Sequence, residues 1–240
     1  MCRLPFFIFL FVFVTNGQVV PKNAMEENIL NILLLWQSSS QQHDSLPNQS
    51  LSTVTIPPVE YYYKGKGIRL DYTISEMILK GLDHFTVENI SAIADIFISK
   101  HFTVERSLEV SLSLRFPMLT LLSDKYKLEG RAYYIYPLKG SGKMKLIFCE
   151  TVIAASVKFG TNNKNGTKIQ NFLLNYSVQK IHANLENSSW PINVILNNEG
   201  VEILAGYKTT IVEALRNHIV PLVDEYLKDI SPSELLEMLN

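Results

Sequence analysis

The stretch Lys139-Gly140-Ser141-Gly142-Lys143 has the residue types of a phosphate-cradling loop. In such a loop, backbone N–H groups hold the phosphates and a hydroxyl after the lysine holds magnesium. The full G-x-x-x-x-G-K-[ST] motif needs glycine at 137 and a hydroxyl at 144, but these positions are Pro137 and Met144. Nucleotide chemistry is therefore not supported, and the stretch reads as part of a strand. The five histidines, His43, His84, His101, His182 and His218, show no H-E-x-x-H spacing, and the chain has no G-x-S-x-G elbow. Only His218 falls on an apolar helical stripe. With no partner at a defined spacing, it reads as a core or tunnel-edge histidine and not as a general base. The residues thus point away from an enzyme and imply no metal and no cofactor.

Cysteine usage is sparse. Cys2 lies in an N-terminal leader, which leaves Cys149 alone in the mature chain, so no intrachain disulfide can form. Cys149 reads as a buried small hydrophobe or as an intermolecular partner. The leader itself is residues 1–17: Arg3, then an apolar run from Leu4 to Val14, then Thr15-Asn16-Gly17 before Gln18. This is the pattern of a cleaved signal peptide, with a signal anchor as the alternative. Its run is well short of the ~20 residues that span a bilayer. The expected product is a secreted, extracellular chain of residues 18–240 forming a single domain.

Five N-x-[ST] sequons, at Asn48, Asn89, Asn165, Asn175 and Asn187, agree with a secretory route and are candidate glycosylation sites. A formal charge of -1 and a pI near 6.5 give no basic footprint for nucleic acid or an anionic membrane surface. The expected partner is a small apolar ligand, with no nucleic acid and no stable membrane insertion.

The elements that would position these residues follow from periodicity. Asn23 can cap a helix whose apolar stripe is Met25, Ile29, Leu30, Leu33, Leu34 and Trp36. From about residue 56 the chain turns to strands. Leu108, Val110, Leu112, Leu114, Phe116 and Met118 alternate with polar residues, and a second alternation runs from Tyr126 to Phe148. Gly140 and Gly142 fall on its apolar face, which implies a bend or a close approach by another element. After Cys149 the apolar phase moves to Ile153, Ala155, Val157 and Phe159, which implies a bulge or register change near Glu150. Phe172, Leu174, Tyr176 and Val178 alternate again after the TNNKNG turn.

The C-terminal part is helical. Leu204, Tyr207, Ile211, Ala214, Leu215, His218, Leu222 and Tyr226 recur at steps of three and four, with Pro221 expected to kink the helix. The phase is ambiguous across Asn197 to Gly200, so either one or two helices fit. Ser231-Pro232-Ser233-Glu234 announces a last short helix. One-faced strands and a one-faced helix bury each other when a curved antiparallel sheet wraps the helix. The expected class is α+β, with an elongated apolar interior. Its candidate lining is Leu112, Leu114, Phe116, Tyr134, Tyr136, Phe148 and Tyr176 from the sheet, and Tyr207, Ile211, Leu215 and His218 from the helix. Two functions fit this arrangement: a carrier of one hydrophobic molecule, or a recognition or structural protein whose core is filled.

The run from Phe116-Pro117-Met118-Leu119 through Tyr126–Gly130 to Pro137-Leu138-Lys139-Gly140-Ser141-Gly142 resembles the takeout and haemolymph juvenile-hormone-binding proteins of arthropods. The long C-terminal helix and its S-P-S-E-L-L ending look similar too, so the resemblance covers about residues 56 to 240. It implies the tubular lipid-binding architecture, with a sheet rolled around a long helix. It also implies a tunnel for a juvenile-hormone-like terpenoid, fatty acid or related lipid, and no catalysis. This chain departs from that pattern at its N-terminus, where the family's cysteine pair is missing from residues 18–60.

Overall fold

The computed structural model describes residues 19–41, 53–65, 68–98, 104–132, 135–162 and 166–239. The leader, Asn48, Tyr134 and Asn165 lie outside these residues. The chain order is α1 (Ala24–Gln41), β1 (Thr53–Ile56), β2 (Val59–Gly65), β3 (Ile68–Ile74), β4 (Met77–Lys80), β5 (Thr86–Ile98), β6 (Val104–Ala132), β7 (Tyr136–Thr161), β8 (Thr167–Leu185), α2 (Ile192–Gly206), α3 (Lys208–Leu227) and α4 (Pro232–Leu239). This is an α+β protein with one antiparallel eight-stranded sheet and helices at both ends of the chain.

The sheet is organised around β6. Its 29 residues, at about 3.3 Å each, reach roughly 96 Å, a length over which strand twist forces the sheet to coil. β7 runs along one side of β6, and β5, β4 and β3 follow one another along the other. β8 extends the sheet beyond β7, β2 beyond β3 and β1 beyond β4.

Alternation holds from Leu108 to Phe116 and then breaks. Phe116 and Leu119 are both buried, whereas Met118 is 54% exposed. The sequence pattern placed Met118 on the apolar face, and Pro117 explains the difference. Proline has no N–H for the ladder, the facing Glu150 has φ 48°, and the pair 117/150 drops out of the register. Each strand accommodates one extra residue there, so pairing resumes in step while both apolar phases flip. The irregularity expected near Glu150 is thus a paired bulge.

The glycine pair of the 139–143 stretch has two separate causes. A Cβ on Gly140 would run into the Tyr126 ring, which crosses the sheet so that its hydroxyl donates to Glu186 O at 2.5 Å. Gly142 has φ 131°, open to glycine alone, and sits where the register shifts between Ser123 and Tyr126.

The helices are attached by side chains that complete strand edges. Asn193 and Asn197, one turn apart on α2, each bond both backbone groups of one β8 residue. Asn193 pairs with Leu185 N and O (2.9 and 3.1 Å), and Asn197 with Ala183 N and O (3.0 and 2.8 Å). Two amides thus stand in for the missing neighbouring strand. The far end of α3 is tied by Asp224 Oδ1, which accepts from Ile169 N at 2.6 Å, and the turn that follows by Thr167 Oγ1, which donates to Ile230 O at 2.7 Å. In α4, the Ser231 and Glu234 cap closes in both directions, and these bonds hold the Glu234 carboxyl below the ordinary range.

Two corrections concern the helical layer. It does divide in two, but at Gly206–Tyr207, and α2 runs unbroken through Asn197 to Gly200; α3 likewise runs through Pro221. The break resets the phase. On α3 the better-covered positions are Ile211, Val212, Ile219, Val220, Val223 and Leu227, whereas Leu215, His218, Leu222 and Tyr226 are exposed.

At the N-terminus, Asn23 caps α1 through Glu26 N at 2.9 Å. The buried Glu26 carboxylate accepts from Lys22 N, Asn23 Nδ2 and, across the chain, Ala92 N, while Asn23 Nδ2 also reaches Ala92 O. Gln37 donates to Phe85 O and Asn28 to Leu239 O. Polar bonds therefore fasten the segment that lacks the cysteine pair. Leu33 is buried from α1, with Ile29 and Leu30 packed nearby, but Leu34 and Trp36, assigned to the same stripe, are exposed.

Candidate functional site

The sheet face that carries the apolar residues forms four cross-strand rows on β6, β7 and β8: Leu112–Ala155–Leu174, Leu114–Ile153–Tyr176, Phe116–Thr151–Val178 and Leu119–Phe148–Ile181. Val87 and Ile90 of β5 add to this face. Phe116 and Leu119 are buried, and Phe85 packs on Phe116 with ring centroids 6.1 Å apart. Leu112, Leu114, Phe148, Ile153 and Leu174 are only half-buried. A second cluster, including Met77, Tyr126, Met144, Leu185 and Ile192, closes the face farther along the sheet.

The residues expected to line the interior separate into two groups. The structure brings Leu112, Leu114, Phe116, Phe148 and Tyr176 onto one continuous face, and α3 adds half-buried Ile211. It does not bring Tyr136, Leu215 or His218 there. Tyr136 is 63% exposed at the outer end of the β6–β7 hairpin, and the phase reset turns Leu215 and His218 to solvent. The Tyr176 hydroxyl donates to Leu204 O at 3.0 Å and is thereby committed to holding α2. Burial pushes its phenol up, as it does that of Tyr126.

The β2–β3 hairpin carries a tyrosine pair, and Tyr207, at the α2–α3 junction, is 45% exposed. Tyr61 and Tyr72 are cross-strand partners with centroids 5.6 Å apart, and Tyr207 lies within electrostatic reach of Tyr72. Burial first, then the two neighbouring phenols, push the Tyr72 hydroxyl up. Sequence reasoning had Tyr207 but missed Tyr61 and Tyr72. The alternation Leu70, Tyr72, Ile74 was the available signal. It also missed Thr151, a buried threonine in the Phe116 row.

The polar face differs in kind. An open, mostly apolar cleft of about 270 Å³ crosses strands β5 to β8, lined by Ser111, Ser113 and Ser156 together with Ala154 and the row residues Leu112, Ala155 and Leu174, and by the exposed Asn89, Leu173 and Asn175. No ionisable side chain lines it. Arg115, on this side, is held by Glu88 and, at 3.3 Å, by Glu150, and these carboxylates raise its guanidinium further. Asn89 and Asn175 lie in one row, Asn89–Ser113–Ala154–Asn175. Asn187, at φ 50°, is exposed and donates to Ser141 O. Thr167, the hydroxyl residue of the Asn165 sequon, is fully buried. Cys149 is a free thiol of intermediate exposure, level with Met118 and Lys180. Among the described residues there is no metal-type cluster, and no helix is long and apolar enough to cross a membrane.

Comparison with known proteins follows the same lines. A search among curated proteins finds no match. Among solved structures, Epiphyas postvittana Takeout 1 superposes with a TM-score of 0.54 at 16% identity, covering 85% of this chain and 93% of that one. That match shows a shared fold. A lipopolysaccharide binding protein is a looser match, with a TM-score of 0.32 at 12% identity, covering 87% of this chain and 39% of that one, and carries no argument. The family profile for haemolymph juvenile hormone binding protein matches residues 45–237, well over half of the chain. The chain belongs to the haemolymph juvenile hormone binding protein family.

Proposed function

We propose that this protein is a secreted carrier that holds one small hydrophobic molecule in a tunnel between the apolar sheet face and the C-terminal helices. The ligand class is a juvenile-hormone-like terpenoid, a fatty acid or a related lipid. The observation that carries this reading is the incomplete coverage of the apolar rows. Leu112, Leu114, Ile153 and Leu174 stay half-buried between an end closed by Leu108 and an end closed by Phe116 and Leu119, and Phe148 is half-buried at that second end. A contiguous apolar surface of this kind is stabilised by an apolar guest, at about 25 cal/mol per Å² removed from water. Tyr72 offers a neutral hydroxyl at one end, and the family's named ligand class supports the assignment. Lipid carriage needs no nucleophile, metal or cofactor. The exposed Asn89, Asn175 and Asn187 are the proposed glycan acceptors, on surfaces away from the apolar rows.

The test is mass spectrometry of small molecules that copurify with the secreted protein, followed by thermal shift on delipidated material. A ligand at about 100 times its Kd adds roughly 2.7 kcal/mol, read as a concentration-dependent rise in Tm. If no terpenoid ester, fatty acid or retinoid-like compound raises Tm, the protein is a recognition or structural module with a filled core.

A further inference from the structure

Thr151 is 4% exposed, and its Oγ1 is buried with no hydrogen-bond partner among the described residues. Leaving a buried hydroxyl unpaired is unfavourable, and an orphan of this kind in a native fold calls for a missing partner. Its surroundings are apolar. Phe116 and Val178 lie directly across on the neighbouring strands, and Phe148 and Ile153 flank it along β7. Four other interior hydroxyls are engaged: Tyr176 with Leu204 O, Tyr126 with Glu186 O, Ser123 with Ser75, and Thr167 with Ile230 O.

We infer that Thr151 Oγ1 is the hydrogen-bonding anchor for an uncharged oxygen on the bound molecule, an inference that rests on the carrier reading. The hydroxyl can donate to an ester, ketone or ether oxygen, or exchange bonds with an alcohol. The rows on either side of Thr151 contain no ionisable side chain except the committed Tyr176 phenol, and the nearby Arg115 guanidinium is already engaged by Glu88 and Glu150. An ionised carboxylate placed here would be buried without a counter-charge. The site therefore selects neutral oxygen-bearing lipids over ionised fatty acids. It sits in the Phe116 row, toward the end of the apolar face that Phe116 and Leu119 close, where the oxygen of a deeply inserted chain would lie.

The experiment uses delipidated full-length protein and displacement of a fluorescent apolar dye by methyl hexadecanoate, by hexadecanoate and by a straight-chain alkane of matched length. Thr151→Val keeps the shape and removes the hydroxyl. It should weaken the methyl ester about 2- to 13-fold, the range of one net hydrogen bond, and leave the alkane unchanged. Thr151→Ser should restore the preference for the ester. Ligand-free Thr151→Val should melt no lower than the parent, because the group it removes has no partner. Equal weakening of ester and alkane, no weakening of either, a preference of the parent for hexadecanoate over the ester, or a lower Tm of ligand-free Thr151→Val would each overturn the assignment. Failure of all three compounds to displace dye from the parent would instead sink the carrier reading itself.

Discussion

Replacing Asn197 tests how the helical layer is held against the sheet. The Asn197 amide accepts from Ala183 N at 3.0 Å, donates to Ala183 O at 2.8 Å, and donates to Asn193 O at 2.6 Å. Ala183 is 8% exposed, so Asn197→Ala leaves two largely buried backbone groups unpaired. A buried unpaired group costs about 1–3 kcal/mol, and because Asn197 itself is exposed, water reaches the gap and the low end applies. The expected loss is about 2–3 kcal/mol in total. For a chain of this size that lowers Tm by about 4–12 °C. Asn197→Asp is more informative. Its carboxylate would face two carbonyl oxygens, Ala183 O and Asn193 O, with one N–H in compensation. The anion is therefore disfavoured in the folded state, and the folded pKa rises above the unfolded value of about 3.9. The deficit relative to the parent should be smaller below that value, where the neutral acid can accept from Ala183 N and replace one of the amide's two donated bonds, and should grow as pH rises through the folded pKa. Thermal unfolding by circular dichroism at pH 3.5 and pH 7, each against the parent at the same pH, gives both numbers. An Asn197→Ala variant within 1 °C of the parent would refute the edge-completion argument, as would an Asp deficit that shrinks on going from pH 3.5 to pH 7.

Three further outcomes follow from the same geometry. Glu26→Ala removes the acceptor shared by Lys22 N and Ala92 N, so hydrogen exchange at the Ala92 amide and in α1 should accelerate at least tenfold; unchanged protection would show that apolar packing alone holds the helix. Leu114→Trp fills the half-buried row: a tunnel wall loses its ligand and stays folded, whereas a close-packed core loses about 1–3 kcal/mol of stability. Tyr72 should ionise after the exposed tyrosines in an absorbance titration near 295 nm. Its folded pKa is raised, so its contribution to stability is present below the ordinary value of about 10 and is lost as pH rises through the folded one. Tyr61→Phe and Tyr207→Phe should each lower that pKa by less than exposure of the ring would, and a Tyr72 that titrates with the exposed set would contradict the cluster.

Local signals carried through to structure wherever one residue's chemistry decided the outcome. Ser231 and Glu234 cap each other as S-P-S-E announces, Asn23 starts α1, and Leu112, Leu114 and Phe116 share one apolar cluster as their alternation announces. The errors arose where two irregularities act together. Pro117 and Glu150 each shift their own strand by one residue, so the strands stay in register; the change of phase was legible on β7, but on β6 it was hidden by Met118, an apolar residue at the expected spacing that nonetheless faces outward. The break at Gly206–Tyr207 has the same effect on the helices, because apolar residues continue at steps of three and four across it while the covered side rotates.

The groups that hold the layers together, and the proposed anchor, were illegible for a different reason: their meaning depends on distant partners. Asn193 and Asn197 look like surface polar residues until β8 presents an open edge, and Glu26 looks like an ordinary first-turn acid until Ala92 N reaches it. Thr151 is the extreme case. As a β-branched residue in a strand it attracts no notice, and its proposed role rests on a bond that the described residues do not supply. Apolar contacts discriminate weakly between lipids, by about 1–3 kcal/mol per methylene, and a neutral buried hydroxyl that must be paired discriminates by chemical type. Under the proposed carrier reading, selectivity by chemical type would rest on the buried Thr151 hydroxyl in the Phe116 row, and the apolar rows would set only the length and girth of the guest.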